Sequence, residues 1–228
     1  MKKMHKRAMA LCLTAALCSG LFAGCGGEKN TAETQQATEA QAADVQTESS
    51  DIYVEKIDGI SDDFIRGMDA SEVLSLENSG VKYYDYDGNE QDIFKTLADS
   101  GVNYIRLRVW NDPYDKDGNG YGGGNCDLNT AVELGKRATK YGMKVNIDFH
   151  YSDFWADPKR QNCPKAWEGM DLEQKKEALY QFTKDSLNTL LDAGVDVEMV
   201  QIGNEINYGL AGEKLQPNIM QLLKKGCA

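Results

Sequence analysis

Four strand-like stretches in this sequence end in residues equipped for chemistry. Val195 to Ile202 closes in Gly203-Asn204-Glu205, and Phe64 to Met68 closes in Asp69. Val102 to Val109 carries Arg106 and Arg108 at alternate positions, so both point the same way, and ends in Trp110; Lys144 to Phe149 ends in His150. In parallel α/β proteins the polar groups just past a strand's C-terminal end face the ligand, which makes Asn204 and Glu205 candidates for the reacting groups. The same glutamate could equally cap the helix that follows. Cutting a glycosidic bond takes two carboxyl groups, one protonating the leaving oxygen and one attacking or stabilising the anomeric carbon. Glu205 suits the first role, and the Asn204 amide suits a hydrogen bond to a ring hydroxyl. Asp69, Asp153, Asp157 and Glu168 are near the expected face, but none sits in a motif that marks it as the second carboxylate.

Other chemistries find less support. With His5 in the N-terminal segment, His150 is the one histidine left to the folded part, which argues against a multi-histidine metal site; no metal and no cofactor are expected. The Gly118-Asn119-Gly120 and Gly122-Gly123-Gly124 stretches follow no strand-turn-helix start, so they are not phosphate cradles. A serine triad would have to use His150 and lacks a Gly-x-Ser-x-Gly elbow. The loops add Tyr121, Tyr151, Trp155, Trp167 and Tyr208, rings suited to stacking on the C–H faces of sugars and expected there rather than in the core.

These groups have to be positioned by regular elements. Helical spacing predicts helices over Gln91–Ser100, Leu128–Tyr141, Leu172–Ala193 and Leu215–Lys225, with Gly101, Gly142 and Gly194 closing the first three. Strands are predicted at Phe64–Asp69, Val102–Trp110, Lys144–Phe149 and Val195–Ile202. Strand alternating with helix, without hairpins, implies parallel βα units. Four such units fill residues 52–228, whereas a closed (β/α)8 TIM barrel takes about 250 residues. The expected architecture is therefore the first four βα units of such a barrel, truncated within an amphipathic helix. A complete four-strand doubly wound domain is the competing reading, disfavoured because nothing covers the edge of its last strand.

The N-terminus reads separately. Lys2, Lys3, Lys6 and Arg7 precede the apolar run Ala8–Leu17, which is a secretory signal over residues 1–24 and too short to span a membrane. Leu21-Phe22-Ala23-Gly24-Cys25 resembles a bacterial lipobox, so Cys25 is the expected lipidation site, with a cleaved signal and a free Cys25 as the alternative. Residues 25–51 hold too little apolar surface to fold and serve as a tether. The protein is then extracellular and held on the outer face of a bacterial membrane by lipid alone. Its net charge of −11 becomes −15 once the four basic residues of the signal are gone, a surface that repels nucleic acid. Cys126, Cys163 and Cys227 remain, and a Cys126–Cys163 disulfide competes with free thiols.

Four motifs carry a family resemblance. Phe64-Ile-Arg-Gly-Met-Asp-Ala-Ser, Tyr104-Ile-Arg-Leu-Arg-Val-Trp, Asp148-Phe-His-Tyr-Ser-Asp-Phe-Trp-Ala-Asp-Pro and Gln201-Ile-Gly-Asn-Glu-Ile-Asn-Tyr-Gly resemble the endo-β-1,4-galactanases of glycoside hydrolase family 53. The resemblance implies a (β/α)8 barrel that hydrolyses the β-1,4-galactan side chains of pectic arabinogalactan with retention of configuration. It matches Glu205 to the general acid/base, Asn204 to the amide before it, and Arg106 to the arginine that supports the carboxylates. His150, Asp153, Trp155 and Asp157 match the loop after the third strand, and Trp110 and Asp69 join them as substrate-binding candidates. The nucleophile of that family, a second glutamate on the seventh strand, has no counterpart in this chain, so the chain alone is expected to be inactive and poorly folded. A non-catalytic galactan-binding lipoprotein, or a related retaining cellulase or mannanase, are the alternatives.

Overall fold

The computed structural model of the protein describes residues 57–228. The expected signal, the Cys25 lipidation site and the tether lie outside the described residues. Four parallel strands make one sheet in the order β1-β2-β3-β4: β1 (Gly67–Asp69), β2 (Tyr104–Val109), β3 (Lys144–Phe149) and β4 (Val197–Ile202). Between and beyond them run α1 (Val73–Asn78), α2 (Ile93–Asp99), α3 (Leu128–Lys140), α4 (Leu172–Asp192) and α5 (Gln216–Gly226). Neighbours in sequence are neighbours in the sheet, and each crossover carries a helix. This is the first half of a (β/α)8 barrel, as the sequence predicts.

Alternation along the strands sorts the two faces. On β2 the residues Ile105, Leu107 and Val109 are fully buried, as are Val145, Ile147 and Phe149 on β3, which pairs with β2 along its length. They pack under α3 and α4 with Leu134, Ala138, Leu179 and Leu190. Each buried aliphatic or aromatic side chain is worth about 1.5–3 kcal/mol of burial. The intervening positions, Arg106 and Arg108 on β2 and Asn146 and Asp148 on β3, therefore share the opposite, concave face.

The helix ends are set by side chains. Asp92, Asp127 and Asp171 each accept a backbone N–H of the first turn of α2, α3 and α4, and Gln174 reaches back to the Asp171 N–H to complete a capping box. Such caps contribute about 1 kcal/mol each. Helix α1 was not foreseen: it is six residues long and its N-cap, Glu72, makes no capping bond. β4 differs from the buried strand expected, because it is an edge of the sheet. Its Met199 and Val200 stand exposed, as does Met68 on β1 at the other edge.

Candidate active site

The concave ends of the strands converge on Arg106. Its guanidinium donates to Asp69 Oδ2 at the end of β1 (2.6 Å), to Asp148 Oδ2 on β3, and to Asn204 Oδ1 just past β4 (3.0 Å). One planar fork thus fixes side chains from three other strands, a task suited to arginine because its donors are rigidly coplanar. Arg108, also on β2, lies 3.8 Å from Asp69 Oδ1 and donates to Glu72 (3.0 Å). Burial pushes the Asp69 carboxyl up, but the N–H and hydroxyl of Ser71, with Arg108 and Arg106, outweigh it. The Asp69 carboxyl is therefore held below its ordinary value.

Beneath this layer Asp148 and His150 are fully buried side chains joined by a 2.9 Å hydrogen bond between His150 Nε2 and Asp148 Oδ2. Two donors, Trp110 Nε1–H and the Ala156 N–H, both point at His150 Nδ1 at 3.1 Å. A nitrogen that accepts twice carries no proton, so the ring proton is on Nε2 and is donated to Asp148. His150 and the fully buried Trp110 therefore lie below any surface a ligand reaches. Their part in the site is to orient Asp148, and through it Arg106.

Asn204 is 9% exposed and almost wholly committed. Its Oδ1 accepts from Arg106 and from Gln201 (3.2 Å), and its Nδ2 donates to the Ala156 carbonyl (2.8 Å). One amide hydrogen is left to meet a ligand hydroxyl. The next residue, Glu205, is exposed and takes a left-handed backbone conformation, φ +47°, an uncommon conformation for a residue with a Cβ. Gly203 makes that turn feasible. At φ +85° a Cβ there would stand 2.5 Å from Ile206 Cγ2 and 2.8 Å from Leu210 Cδ1. The Gln161 side-chain amide donates to the carbonyls of Asn204 (2.8 Å) and Glu205 (3.3 Å) and holds the turn from the neighbouring loop.

Not every predicted residue joins this cluster. Both oxygens of Asp153 accept backbone N–H groups, from Asp112 (3.1 Å) and Lys165 (2.7 Å), so it stitches two loops together; burial raises its pKa. Asp157 is spent within its own turn on Lys159, Arg160 N–H and the Arg160 guanidinium. Trp155 stands on the rim, 36% exposed, with the Arg108 guanidinium 4.3 Å from its ring centre. The rings divide. Tyr121 and Tyr208 are exposed, whereas Tyr151 and Trp167 are core residues packed with Phe149 and Phe182, contrary to expectation. The Tyr151 hydroxyl hydrogen-bonds Thr183 of α4, which draws the loop after β3 down onto that helix.

Two residues of the site were missed from the sequence, Asp148 and Gln161. Asp148 shares the alternation of Asn146 and His150, and that signal could have placed it beside Arg106; no such pattern marks Gln161. A concave cavity of about 250 Å³, lined by Gly67, Asp69, Arg106 and Asn146, opens beside the cluster. Among the described residues no group of three or more His, Cys, Asp or Glu is arranged to hold a metal. Cys126, Cys163 and Cys227 are free thiols, and burial pushes the Cys126 thiol up to about 12.

Comparison with known proteins bears on the cluster. The family described as Glycosyl hydrolase family 53 matches residues 65–228. An endo-beta-1,4-galactanase of Bacillus subtilis (strain 168) is 54% identical over 178 residues, which cover 78% of this chain and 42% of that protein. An arabinogalactan endo-beta-1,4-galactanase of Humicola insolens is 41% identical over 145 residues, covering 64% of this chain and 41% of that one. Among solved structures, the Ignisphaera aggregans GH53 catalytic domain superposes with a TM-score of 0.74 at 44% identity, over 77% of this chain and 50% of its own. The chain spans less than half the length of these curated relatives.

Proposed function

The chain belongs to glycosyl hydrolase family 53, and from that premise we propose that its protein is an endo-acting, retaining β-1,4-galactanase with Glu205 as general acid/base. The observation that carries this reading is the Arg106 fork, which gathers Asp69, Asp148 and Asn204 beside the exposed Glu205, whose carboxylate has no hydrogen-bond partner among the described residues. Glu205 protonates the departing glycosidic oxygen, and the remaining Asn204 amide hydrogen binds a hydroxyl of the sugar whose anomeric carbon gains charge. Arg106, neutralising two carboxylates, keeps the amide turned toward that sugar. Trp155 offers a flat ring at the rim on which a galactosyl unit stacks.

The nucleophile comes from outside these residues. Asp69 and Asp148 are engaged by Arg106, Asp153 by the loop backbone and Asp157 by Arg160, while Glu168 lines a different cavity from the one at Arg106. The 228-residue chain by itself accordingly does not turn over galactan. The substrate is the β-1,4-galactan of pectic arabinogalactan, met outside the cell by a protein that Cys25 tethers to the membrane through lipid; neither nucleic acid nor a cofactor takes part. Sugar release from β-1,4-galactan, cellulose and mannan by the protein at its full encoded length tests the reading. Release from galactan alone is the expected result; release from cellulose or mannan, or galactan hydrolysis by the 228-residue chain, overturns the corresponding part.

A further inference from the structure

A second cavity lies on the same end of the sheet, away from Arg106. It has a volume of about 470 Å³ and is lined by Tyr121, Ser152, Phe154, Asn162, Cys163 and Glu168 among others, within the range of small-ligand sites. Tyr121 is 45% exposed and forms its wall. Its loop is fixed in place: Lys165 donates to the Asp112 carbonyl (2.9 Å) and the Tyr114 carbonyl, pairs with Asp112 Oδ2 (2.8 Å), and lies 5.4 Å from the Tyr121 ring centre. Asp153 joins the same two loops. The Asn125 side chain packs over Gly120, where a Cβ would fall 2.3 Å from its Cγ, and accepts the Gly122 N–H (2.8 Å). The ring is therefore presented on a preorganised surface, which lowers the ordering cost of binding.

The polar groups of this cavity have spare capacity. Among the described residues the Asn162 amide and the Glu168 carboxylate engage no side-chain partner, and both are exposed to the cavity. An exposed ring beside an unengaged amide and carboxylate matches the apolar face and equatorial edge of a pyranose. Below the surface, ring contacts through the buried Trp110 hold the cavity wall in fixed relation to the rim of the first site. Tyr121 meets Phe154 at 6.3 Å between centres, Phe154 meets Trp110 at 4.9 Å, and Trp110 meets Trp155 at 6.2 Å.

From this we infer that the cavity walled by Tyr121 is a distal saccharide subsite, holding a galactosyl unit of the chain several residues from the bond placed at Glu205. The inference rests on the galactan reading above and deepens it. It makes the enzyme a binder of long chains, because a short substrate fills the cleft at Trp155 and leaves Tyr121 uncovered.

Cys163 supplies the test, being a free, half-buried thiol in the cavity wall, while Cys227 is exposed and remote in sequence from it. The full chain is alkylated with iodoacetamide with and without a β-1,4-galactan oligosaccharide, and peptide mass spectrometry reads each thiol separately. The part of the tryptophan fluorescence that is lost in Trp155→Phe, with Trp110 and Trp167 left in place, reports the first cleft in the same samples. Expected is a fall in the Cys163 rate of about tenfold at a ligand concentration about ten times the dissociation constant, since protection follows one plus that ratio. Cys227 is unchanged, and Tyr121→Ala weakens the protection by about three- to tenfold. A fluorescence response without Cys163 protection overturns the distal subsite and leaves the galactan reading standing. No response in either signal overturns both.

Discussion

Replacing Arg106 with Met removes the fork and leaves its acceptors in place, which makes it the sharpest probe of how the site is held. Asp148 then keeps one hydrogen bond, from His150, while its Oδ1 is already buried without a partner and its side chain has no exposure to water. Removing one partner of a buried ion pair costs about 3–5 kcal/mol. The Arg106 side chain is 29% exposed and water can partly replace it, so the lower end, about 3 kcal/mol, applies. For a domain of this size that corresponds to a fall in Tm of about 6–12 °C. Lysine keeps the charge but cannot span three acceptors in one plane, and Arg106→Lys should lose about half as much. Adding Asp148→Asn to Arg106→Met removes the orphaned charge and should restore about 1 kcal/mol or more. Urea unfolding followed by near-UV circular dichroism measures all four proteins. Arg106→Met within about 1 kcal/mol of the parent, or a double variant no more stable than the single, would refute the reasoning.

Three further outcomes follow from the same contacts. Because the folded-state pKa of Asp69 lies below its unfolded value, its contribution to stability is present above about pH 4 and is lost as the pH falls through the folded value. The Tm difference between the parent and Asp69→Asn should accordingly shrink from pH 6 to pH 3, and parallel curves would contradict it. Gly203→Ala combines a left-handed alanine with overlap against Ile206 and Leu210 and should cost about 2–5 kcal/mol, read by urea unfolding; a loss under about 1 kcal/mol would mean that the turn relaxes freely. Gln161→Leu strips the amide from the Asn204 and Glu205 carbonyls, each such loss being worth about 1–3 kcal/mol. In the full-length protein it should lower kcat more than it changes KM, and an unchanged kcat would remove Gln161 from the positioning of Glu205.

Much of this site is written in local patterns. The long helices α3 and α4 are legible because Asp127 and Asp171 cap their starts and Gly142 and Gly194 follow their ends. The alternation of Arg106 and Arg108 with Ile105, Leu107 and Val109 fixes which side of β2 faces the cluster. What escapes such reading depends on contacts distant in sequence. Gln161 matters only because a separate loop brings it under Asn204, 43 residues on. Tyr151 and Trp167 resemble exposed loop rings until α4 is in place to bury them. Asp153 and Asp157 sit in a motif that suggests ligand binding, yet nearby backbone N–H groups and, for Asp157, the Arg160 guanidinium claim their oxygens. His150 changes from a ligand contact to a buried support once two donors are seen on its Nδ1.

In the function proposed above, Glu205 donates the proton at a site ordered by Arg106 and Asn204. Glu205→Gln in the full-length protein, assayed on β-1,4-galactan and on an aryl glycoside whose leaving group needs no protonation, tests it most directly. Nearly complete loss on galactan, retained galactan binding, and much smaller loss of glycosylation on the aryl substrate are expected. Parent-level hydrolysis of galactan by that variant would contradict it.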